Sequence, residues 1–351
     1  MRVTVVGAGV TGLACAWRLA QTGATVTVFE QDPVQAASRV AAGMLAPLTE
    51  AQPTEPAVLA AGREALKRWP AFASELAASG EDPGYRRTGT LVTSYDTGDL
   101  AALDEFASRL DVEVERLTGS ACRALEPALA PGVRGGLSIP GDHSVDNRAL
   151  LHALGAACRT SGVRMVAAKV ESLETIAADV VVVAAGAWVG RLLPAFADLV
   201  RPVRGEILRL AAGRHTPRLS RTVRAVVEGR AVYLVPRSTG ELVVGATQDE
   251  VGFDRTVTAG GVHRLLADAR RVLPAVDEYA LVETAAGLRP VSRDSAPLVG
   301  RVQNDGAVVA AGHGRNGILL APFTAELVCA AVQGDEPYPT FDPARFTRVS
   351  R

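Results

Sequence analysis

Residues 2–30 read RVTVVGAGVTGLACAWRLAQTGATVTVFE, and this stretch decides the fold. Residues 2–6 are a short, β-branched apolar run that ends at Gly7, which is typical of a buried parallel strand. Residues 11–22 are predicted to form a helix, and residues 25–29 a second buried strand. The order strand, helix, strand predicts a βαβ unit with a parallel sheet.

The turn between the first strand and the helix has the pattern GxGxxG, formed by Gly7, Gly9 and Gly12. Gly7 permits the tight turn, Gly9 lets the backbone approach a pyrophosphate, and Gly12 allows close packing of helix on strand. The helix N-terminus offers N–H groups and a positive dipole end to phosphates. Glu30 ends the second strand, where its carboxylate can accept hydrogen bonds from a ribose. The pattern therefore predicts a dinucleotide site, and an acidic Glu30 argues against NADP, whose 2′-phosphate it would repel.

The rest of the chain contains two kinds of segment: alternating helices and strands, and strands with alternating apolar and polar residues. Helices are predicted at residues 56–79, 100–110, 147–161, 260–272 and 317–332, and strands at 88–94, 135–139, 164–168, 179–184 and 306–311. Between residues 201 and 283, alternating segments at 206–210, 231–236 and 241–245 indicate an antiparallel sheet, with a hairpin turn at 238–240.

The order of these two kinds of segment predicts an α/β protein, α+β overall, with two domains. A Rossmann-like nucleotide domain, discontinuous in sequence, is expected to comprise residues 1–80, 138–200 and 288–351. An antiparallel-sheet substrate domain is expected to comprise residues 81–137 and 201–287.

Composition narrows the class of protein. The 351 residues carry a net charge of −1, with no charged tail that would indicate nucleic acid or a membrane surface. The four cysteines are scattered and form no CxxC pair, so neither a metal site nor a disulfide framework is predicted. The apolar run at the N-terminus is too short for a signal peptide, and no apolar stretch reaches the roughly 20 residues of a membrane span. We therefore expect a cytoplasmic protein.

Four later segments resemble the D-amino acid oxidase superfamily of FAD-dependent enzymes, and they extend over nearly the whole chain. They are SRVAAGMLAP at 38–47, VVVVAAGAW at 180–188, GLRPVSRDSAPLVGR at 287–301 and GHGRNGILLAP at 312–322. The motif RNGILLAP, together with YLVPR at 233–237 and VGAT at 244–247, resembles the sequences of the glycine oxidase subfamily. Two positions depart from that pattern: Ala231 stands where some relatives carry His, and Gln248 is polar where an apolar side chain is expected.

The resemblance implies FAD as the cofactor, in agreement with the glycine fingerprint. The expected contacts to FAD are Gly7, Gly9, Thr11, Gly12, Glu30, Gln31, Ser38, Ala42, Gly43, Met44, Val170, Gly186, His313, Gly314, Arg315, Asn316, Gly317, Ile318 and Leu319. The helix after residue 312 is expected to point its positive end at the flavin. We expect FAD to be held non-covalently, because no cysteine lies between Cys158 and Cys329.

The resemblance also implies an amino acid substrate. Arg289 is expected to bind its carboxylate in a bidentate manner, and the Tyr233 hydroxyl to assist. Arg315 and Met44 are placed in the same catalytic site. Of the five histidines only His313 lies in a motif, where flavin contact is its expected role, so no general base is nominated. That absence fits hydride transfer from the substrate Cα to flavin N5, giving an imine, then glyoxylate and ammonia, and hydrogen peroxide from oxygen.

Several alternatives remain open from the residues. The chain could be a D-amino acid oxidase or dehydrogenase, or a sarcosine oxidase, with a different substrate. It could also be a non-catalytic flavin-binding protein, or a nicotinamide-linked dehydrogenase, since the fingerprint alone does not separate FAD from NAD. The family often forms homotetramers, which makes a homo-oligomer possible, and the glycine oxidase subfamily implies a link to thiazole synthesis for thiamine.

Overall fold

The computed structural model describes residues 1–52, 54–109, 114–302 and 306–346. Its strands are β1 (Arg2–Val6), β2 (Thr25–Phe29), β3 (Met44–Leu45), β4 (Thr90–Ser94), β5 (Glu115–Thr118), β6 (Gly135–Ile139), β7 (His143–Ser144), β8 (Arg164–Val166), β9 (Val180–Val183), β10 (Val200–Ala211), β11 (Thr222–Val227), β12 (Arg230–Pro236), β13 (Glu241–Gly245), β14 (Ala280–Ser292), β15 (Leu298–Arg301) and β16 (Val308–Ala311). Its α-helices are α1 (Val10–Gln21), α2 (Ala37–Val40), α3 (Pro56–Ala78), α4 (Thr97–Arg109), α5 (Gly119–Leu125), α6 (Asn147–Thr160), α7 (Val189–Leu192), α8 (Ala259–Val272) and α9 (Ala321–Gln333).

A six-stranded sheet, in the order β15-β16-β9-β1-β2-β8, contains the strands next to the glycine-rich turn. β1 pairs in parallel with β2 on one side and with β9 on the other. The buried faces of these Val-rich strands are covered by α1, which itself packs against α6 and α9 in the largest apolar core. The βαβ unit predicted from residues 2–30 is therefore present, as is the Rossmann-like half of the predicted fold class.

An eight-stranded sheet has the order β14-β10-β13-β12-β11-β4-β6-β5. Its neighbours pair antiparallel, apart from the parallel pair β4 and β11. One face of β10, β12 and β13 packs on α8. On the opposite face, Ile207, Val235 and Val243 contact the chain around Ala42. Alternation along these strands thus assigns successive side chains to an α8 side and to a side that meets the parallel sheet.

Most predicted elements are present, with ends displaced by a few residues, and Leu110 of the predicted helix 100–110 lies outside the described residues. β11 and the long strand β14 were not predicted. β14 contains Gly287 and Pro290, which argue against a strand, but it lies at a sheet edge, where both are tolerated. The predicted domain boundaries after residues 137 and 287 fall inside β6 and β14. In the described part of the chain, no helix is both long and apolar enough to cross a membrane.

Candidate functional site

A cavity of about 480 Å³ lies between the carboxyl ends of the parallel strands and one face of the eight-stranded sheet. Val6, Phe29 and Ala184 line it from the parallel side, and Ile207 and Tyr233 from the antiparallel side. Its volume is within the roughly 300–1,000 Å³ of small-molecule pockets. Ligands of open parallel sheets bind at this end of the strands, so the cavity is the candidate site.

The glycine-rich turn forms one end of the cavity. Gly7 has φ +108°, and a Cβ added there would lie 2.4 Å from the carbonyl oxygen of Ala184. A Cβ on Gly12 would lie 1.8 Å from the carbonyl oxygen of Gly7. Gly9 occupies the N-cap of α1 without a side chain, and both Gly9 and Thr11 line the cavity. These glycines bring strand and helix together and leave the helix N-terminus open to an anion.

Glu30 lies beside this turn at the end of β2 and lines the cavity. Its Oε2 accepts a hydrogen bond from the N–H of Ala8 at 2.8 Å, and its Oε1 accepts one from the N–H of Asp32 at 2.9 Å. The carboxylate therefore fixes the turn as well as facing the cavity. Each oxygen keeps a lone pair for a further donor, such as a ribose hydroxyl.

The loop from Ser38 to Met44 runs along the middle of the cavity, and Ser38, Ala42, Gly43 and Met44 all line it. Ser38 Oγ accepts a hydrogen bond from the N–H of Val10 at 3.2 Å, which ties the loop to the first residue of α1. Gly43 has φ +76°, and a Cβ there would lie 2.0 Å from the carbonyl oxygen of Val145. The loop thus approaches the cavity with backbone and small side chains.

His313 begins the C-terminal loop of the cavity and is buried. Its Nε2 lies 2.9 Å from Thr324 Oγ1 in α9. Burial lowers the pKa of the imidazole to about 4. His313 is therefore neutral at physiological pH, and its hydrogen bond holds the loop against α9.

Arg289 and Tyr233 lie on the antiparallel side, on β14 and β12, with β10 and β13 between them. Glycines on those two strands make room for both side chains. A Cβ on Gly205 would lie 2.3 Å from Arg289 Nη1, and a Cβ on Gly245 would lie 2.3 Å from Tyr233 Oη. The two functional groups therefore cross the intervening strands over glycine positions and reach the same cavity.

Arg289 keeps most of its hydrogen-bonding capacity. Nη1 donates to the carbonyl oxygens of Thr247 at 3.2 Å and of Arg204 at 3.4 Å. Among the residues that the structure describes, no carboxylate lies within salt-bridge distance of this guanidinium. Burial raises the pKa of the nearby Tyr233 hydroxyl, and the charge of Arg289 opposes that rise. The pair offers an unneutralised cation and a protonated hydroxyl, which together suit a carboxylate.

Arg315 also lines the cavity, but its charge is already paired. Its Nη2 forms a short ion pair with Glu55 and donates to the carbonyl oxygen of Glu50 at 2.9 Å. The Glu50 carboxylate, which lines the cavity as well, lies 2.5 Å from Arg224 Nη1 and 3.8 Å from Arg315 Nε. A chain of alternating charges, Glu55, Arg315, Glu50 and Arg224, therefore borders the site.

The structure gathers most of the predicted contacts around one cavity. Those that line it are Gly7, Gly9, Thr11, Glu30, Gln31, Ser38, Ala42, Gly43, Met44, Val170, Gly186, Tyr233, Arg289, His313, Gly314, Arg315, Gly317 and Ile318. Gly12 lies instead behind the turn, and Asn316 and Leu319 line a small neighbouring cavity. The assigned roles of all these residues stay predictions.

Sequence reasoning did not nominate several residues at this site. They are Asp32, Gln35, Glu50, Lys169, Trp188, Arg191, Gly205, Ile207, Arg224 and Gly245. The signal for Gly205 and Gly245 was a glycine inside a strand, which often marks close approach of another group. Glu50 and Arg224 are far apart in sequence and carried no local signal.

Comparisons with known proteins place the chain among FAD-dependent oxidoreductases, in agreement with the glycine-rich turn. A family model described as FAD dependent oxidoreductase matches residues 2–331. The chain is 35% identical to the glycine oxidase of Geobacillus kaustophilus, over 98% of this chain and 96% of the relative. The crystal structure described as glycine oxidase from Geobacillus kaustophilus superposes with a TM-score of 0.88 at 33% identity, covering 98% of this chain and 99% of that one.

Two further relatives are informative. The bifunctional protein ThiO/ThiG of Nostoc sp. is 32% identical over 99% of this chain, but only 55% of the relative is covered, so the chain spans about half the length of that relative. An iminodiacetate oxidase from Chelativorans sp. BNC1 has a TM-score of 0.83 at 28% identity, covering 96% of both chains.

Proposed function

This chain belongs to the family of FAD-dependent oxidoreductases, and from that premise we propose that it oxidises glycine or a similarly small amino acid. One observation carries the proposal. Arg289, a cation with no carboxylate partner in the described part of the chain, shares a cavity with Tyr233 and with the glycine-rich turn. A free amino acid carboxylate is the ligand that this pair suits best.

The residues present fit FAD. Gly7 and Gly9 leave backbone and helix N-terminus open to a pyrophosphate, and Glu30 offers acceptors at the ribose end. When bound, FAD supplies the two-electron acceptor of the reaction. None of the four cysteines lines the cavity, which supports non-covalent binding.

The substrate would be held by its carboxylate so that its Cα–H points toward the flavin side. The Arg289 guanidinium can donate two parallel hydrogen bonds, and the Tyr233 hydroxyl a third. Because both groups are attached to strands of one sheet, the orientation is set before the substrate arrives. Met44 and Ile207 add an apolar wall, which restricts the size of the substrate side chain.

Among the described residues near Arg289 and Tyr233, we find no group suited to remove the α-proton. His313 is neutral but donates to or accepts from Thr324, and burial keeps the Tyr233 hydroxyl protonated. The Glu50 carboxylate is paired with Arg224. These assignments support oxidation of the neutral amine by hydride transfer, with release of an imine that hydrolyses to an oxo acid and ammonia.

Finer points belong to the same proposal. The resemblance to glycine oxidase implies a role in supplying thiazole synthesis for thiamine, in this chain alone or with a partner. Oxygen as electron acceptor and a homo-oligomer are proposed on the same resemblance. A cytoplasmic location is proposed on the scattered cysteines, which suit a reducing compartment, and the two-domain division on the order of the α/β and antiparallel segments.

The test uses purified protein as expressed. We expect a yellow protein whose flavin is released entirely into the supernatant on acid precipitation. Anaerobic addition of glycine should bleach the flavin, and sarcosine and D-alanine, compared at equal concentration, should rank the alternatives of sarcosine and D-amino acid oxidase. Ethylamine, which lacks a carboxylate, is the matched control and should leave the flavin oxidised. A colourless protein that takes up no FAD, or flavin reduced equally well by ethylamine, would contradict the proposal.

A further inference from the structure

A buried polar cluster lies behind the loop Ser38–Met44, on the side away from the cavity. Its centre is Arg237, which follows β12 and is 6% exposed. Asn147, at the first position of α6, and Arg209 on β10 complete it, and both are almost fully buried. None of these three side chains lines the cavity, so the reaction proposed above does not account for them.

The cluster binds the carbonyl oxygens of the loop. Arg237 Nη2 donates to the carbonyl oxygen of Ala42 at 2.7 Å. Asn147 Nδ2 donates to that of Ser38 at 2.7 Å, and Arg209 Nη2 to that of Arg39 at 3.4 Å. Asn147 Oδ1 accepts from Arg209 and from Arg237, both at 3.1 Å. One network of side chains therefore holds the loop by hydrogen bonds to three of its carbonyl groups.

Arg237 also fixes the segment against which the loop rests. Its Nη1 donates to the carbonyl oxygen of Val145 at 3.1 Å. The N–H of Val145 in turn donates to the carbonyl oxygen of Gly43 at 2.8 Å. The carbonyl groups of Ala42 and Gly43 are thus both held by groups on the outer side of the loop.

This arrangement leaves backbone donors at the cavity. Ala42 and Gly43 both line it, and within the described chain neither of their N–H groups donates to a protein atom. Two consecutive uncommitted N–H groups form a site for an acceptor-rich edge, and they stabilise negative charge that develops there. The N–H of Gly43 lies on the same planar peptide group as the carbonyl of Ala42, so its direction toward the cavity is fixed when Arg237 holds that carbonyl on the outer side.

Burying the charged guanidinium of Arg237 costs desolvation free energy, so packing alone does not explain why an arginine is present here. Desolvation lowers the pKa of Arg237 to about 10, and its Nε has no hydrogen-bond partner among the described residues, although Asp146 lies 3.6 Å away. An apolar side chain of similar volume would avoid that cost. The hydrogen bonds to Ala42 and Val145 are what an apolar side chain could not supply.

We infer that Arg237 is a positioning residue for the flavin: by holding the carbonyl group of Ala42, and that of Val145 against which the loop rests, it fixes the peptide group that carries the Gly43 N–H. It thereby presents this N–H, next to that of Ala42, to the acceptor edge of the isoalloxazine. The inference rests on the proposed function. Arg237 acts through the backbone and touches neither substrate nor cofactor. Loss of this support should weaken FAD binding and make the reduced, negatively charged flavin harder to form.

The experiment compares Arg237→Met and Arg237→Lys with wild type and with Arg301→Met. Arg301 is the control because it also binds two carbonyl oxygens, those of Ala331 at 2.8 Å and Val332 at 3.0 Å, but lies away from the cavity. Three quantities are measured: the Kd of FAD, the flavin midpoint potential, and amide exchange of Val145 in the apoprotein. The internal reference for exchange is the amide of Ala184, which directly follows β9 and donates to the carbonyl oxygen of Val6 at 2.9 Å.

We expect Arg237→Met to raise the Kd of FAD by roughly 10–100-fold, the usual effect of losing hydrogen bonds made by a charged group. The midpoint potential should become more negative, and the Val145 amide should exchange faster while the Ala184 amide does not. Arg237→Lys should recover part of each change, and the KM for glycine should move little in either variant. Arg301→Met should leave Kd and potential at wild-type values.

Wild-type potential and Kd in both Arg237 variants would overturn the inference, as would equal changes in Arg301→Met. If Arg237→Met does not fold, Arg237→Lys decides by the same criteria. Failure of the proposed function is distinguishable. The wild-type protein would then bind FAD but would not be reduced by glycine, while the Arg237 variants would still show the changes in Kd and midpoint potential.

Discussion

The two sides of the cavity are built in different ways. On the parallel side, Gly7, Gly9 and Glu30 come from a single βαβ unit of 29 consecutive residues, 2–30. On the antiparallel side, Tyr233 and Arg289 lie on β12 and β14, which are not neighbours in the sheet. The first side is a local motif, while the second exists only when four strands are in register. We propose that this division separates cofactor binding from substrate binding.

The difference has a consequence for substitutions. On this proposal, the binding groups of the parallel side are backbone N–H groups and the Glu30 carboxylate, so a change there is expected to act on FAD affinity. On the antiparallel side, the side chains of Tyr233 and Arg289 are expected to bind, with space given by glycines on the intervening strands, so a change there is expected to act on substrate orientation.

The largest expected effect is at Arg289. Arg289→Ala leaves the substrate carboxylate without its partner in a sheltered cavity, which typically costs about 3–5 kcal/mol. The kcat/KM for glycine should fall by roughly 10²–10⁴-fold, and Arg289→Lys should recover only part because a point charge cannot form two parallel bonds. Steady-state oxygen uptake measures this. An unchanged kcat/KM would remove Arg289 from the site.

A smaller effect is expected at Gly205, where a substitution displaces Arg289 without removing its charge. The Cβ of Gly205→Ala would lie 2.3 Å from Arg289 Nη1, so the guanidinium must move aside. A displacement of about 1 Å can cost roughly 10²-fold in rate, and kcat/KM for glycine should fall by about that factor with FAD content unchanged. Gly260→Ala, where no atom lies within 4 Å of the added Cβ, is the control and should behave as wild type. Equal kinetics in the two variants would contradict the role of Gly205.

On the parallel side, Glu30→Ala should act on the cofactor. Loss of hydrogen bonds to a charged acceptor costs about 1.5–3 kcal/mol, so the Kd of FAD should rise by roughly 10–100-fold. The N–H of Ala8 also loses its acceptor, which adds to the effect. Turnover at saturating FAD should change much less. Equilibrium titration of the apoprotein with FAD checks this, and an unchanged Kd would count against the role of Glu30.

The two sides also differ in how far the sequence could predict them. The glycine fingerprint, Glu30 and β1–β2 are local in sequence, so pattern alone located them. Arg289 and Tyr233 were nominated by resemblance, and their separation in sequence gave no distance between them. A glycine inside a strand signals that some group comes close, but which side chain Gly205 and Gly245 make room for depends on their cross-strand neighbours, and no local pattern encodes those.

Arg315 shows the same limit from another direction. It was placed in the catalytic site beside Arg289, and both line the cavity. The structure pairs Arg315 with Glu55 and Glu50, whereas Arg289 has no such partner in the described chain. Which of the two arginines keeps a free charge is decided by where Glu50 and Glu55 lie, and sequence reasoning assigned neither residue to an element.

The smallest expected effect concerns Asp142, a buried residue between β6 and β7, whose Oδ2 accepts from Thr49 Oγ1 at 2.7 Å. Burial raises the pKa of this carboxyl from its usual value to about 7. Between about pH 4 and 7 the folded protein therefore holds a proton that the unfolded chain has lost, so stability falls as pH rises through this window.

The measurement is the free energy of unfolding of wild type and Asp142→Asn from pH 4 to pH 8. As pH rises, the wild type should lose stability relative to Asp142→Asn by at most about 1.4 kcal/mol per pH unit. The difference in the free energy of unfolding should level off above pH 7. Asn keeps the shape and can still accept from Thr49. A difference independent of pH would mean that Asp142 is ionised throughout.

The most direct test of the division is a crossed measurement on Arg289→Lys and Glu30→Ala. For each variant and for wild type, the Kd of FAD is determined first, and the rate of anaerobic flavin reduction by glycine is then measured at saturating FAD. We expect Arg289→Lys to keep the wild-type Kd and to be reduced far more slowly at low glycine, and Glu30→Ala to bind FAD more weakly and to be reduced at nearly the wild-type rate. Two variants that each change both quantities to the same degree would contradict the division.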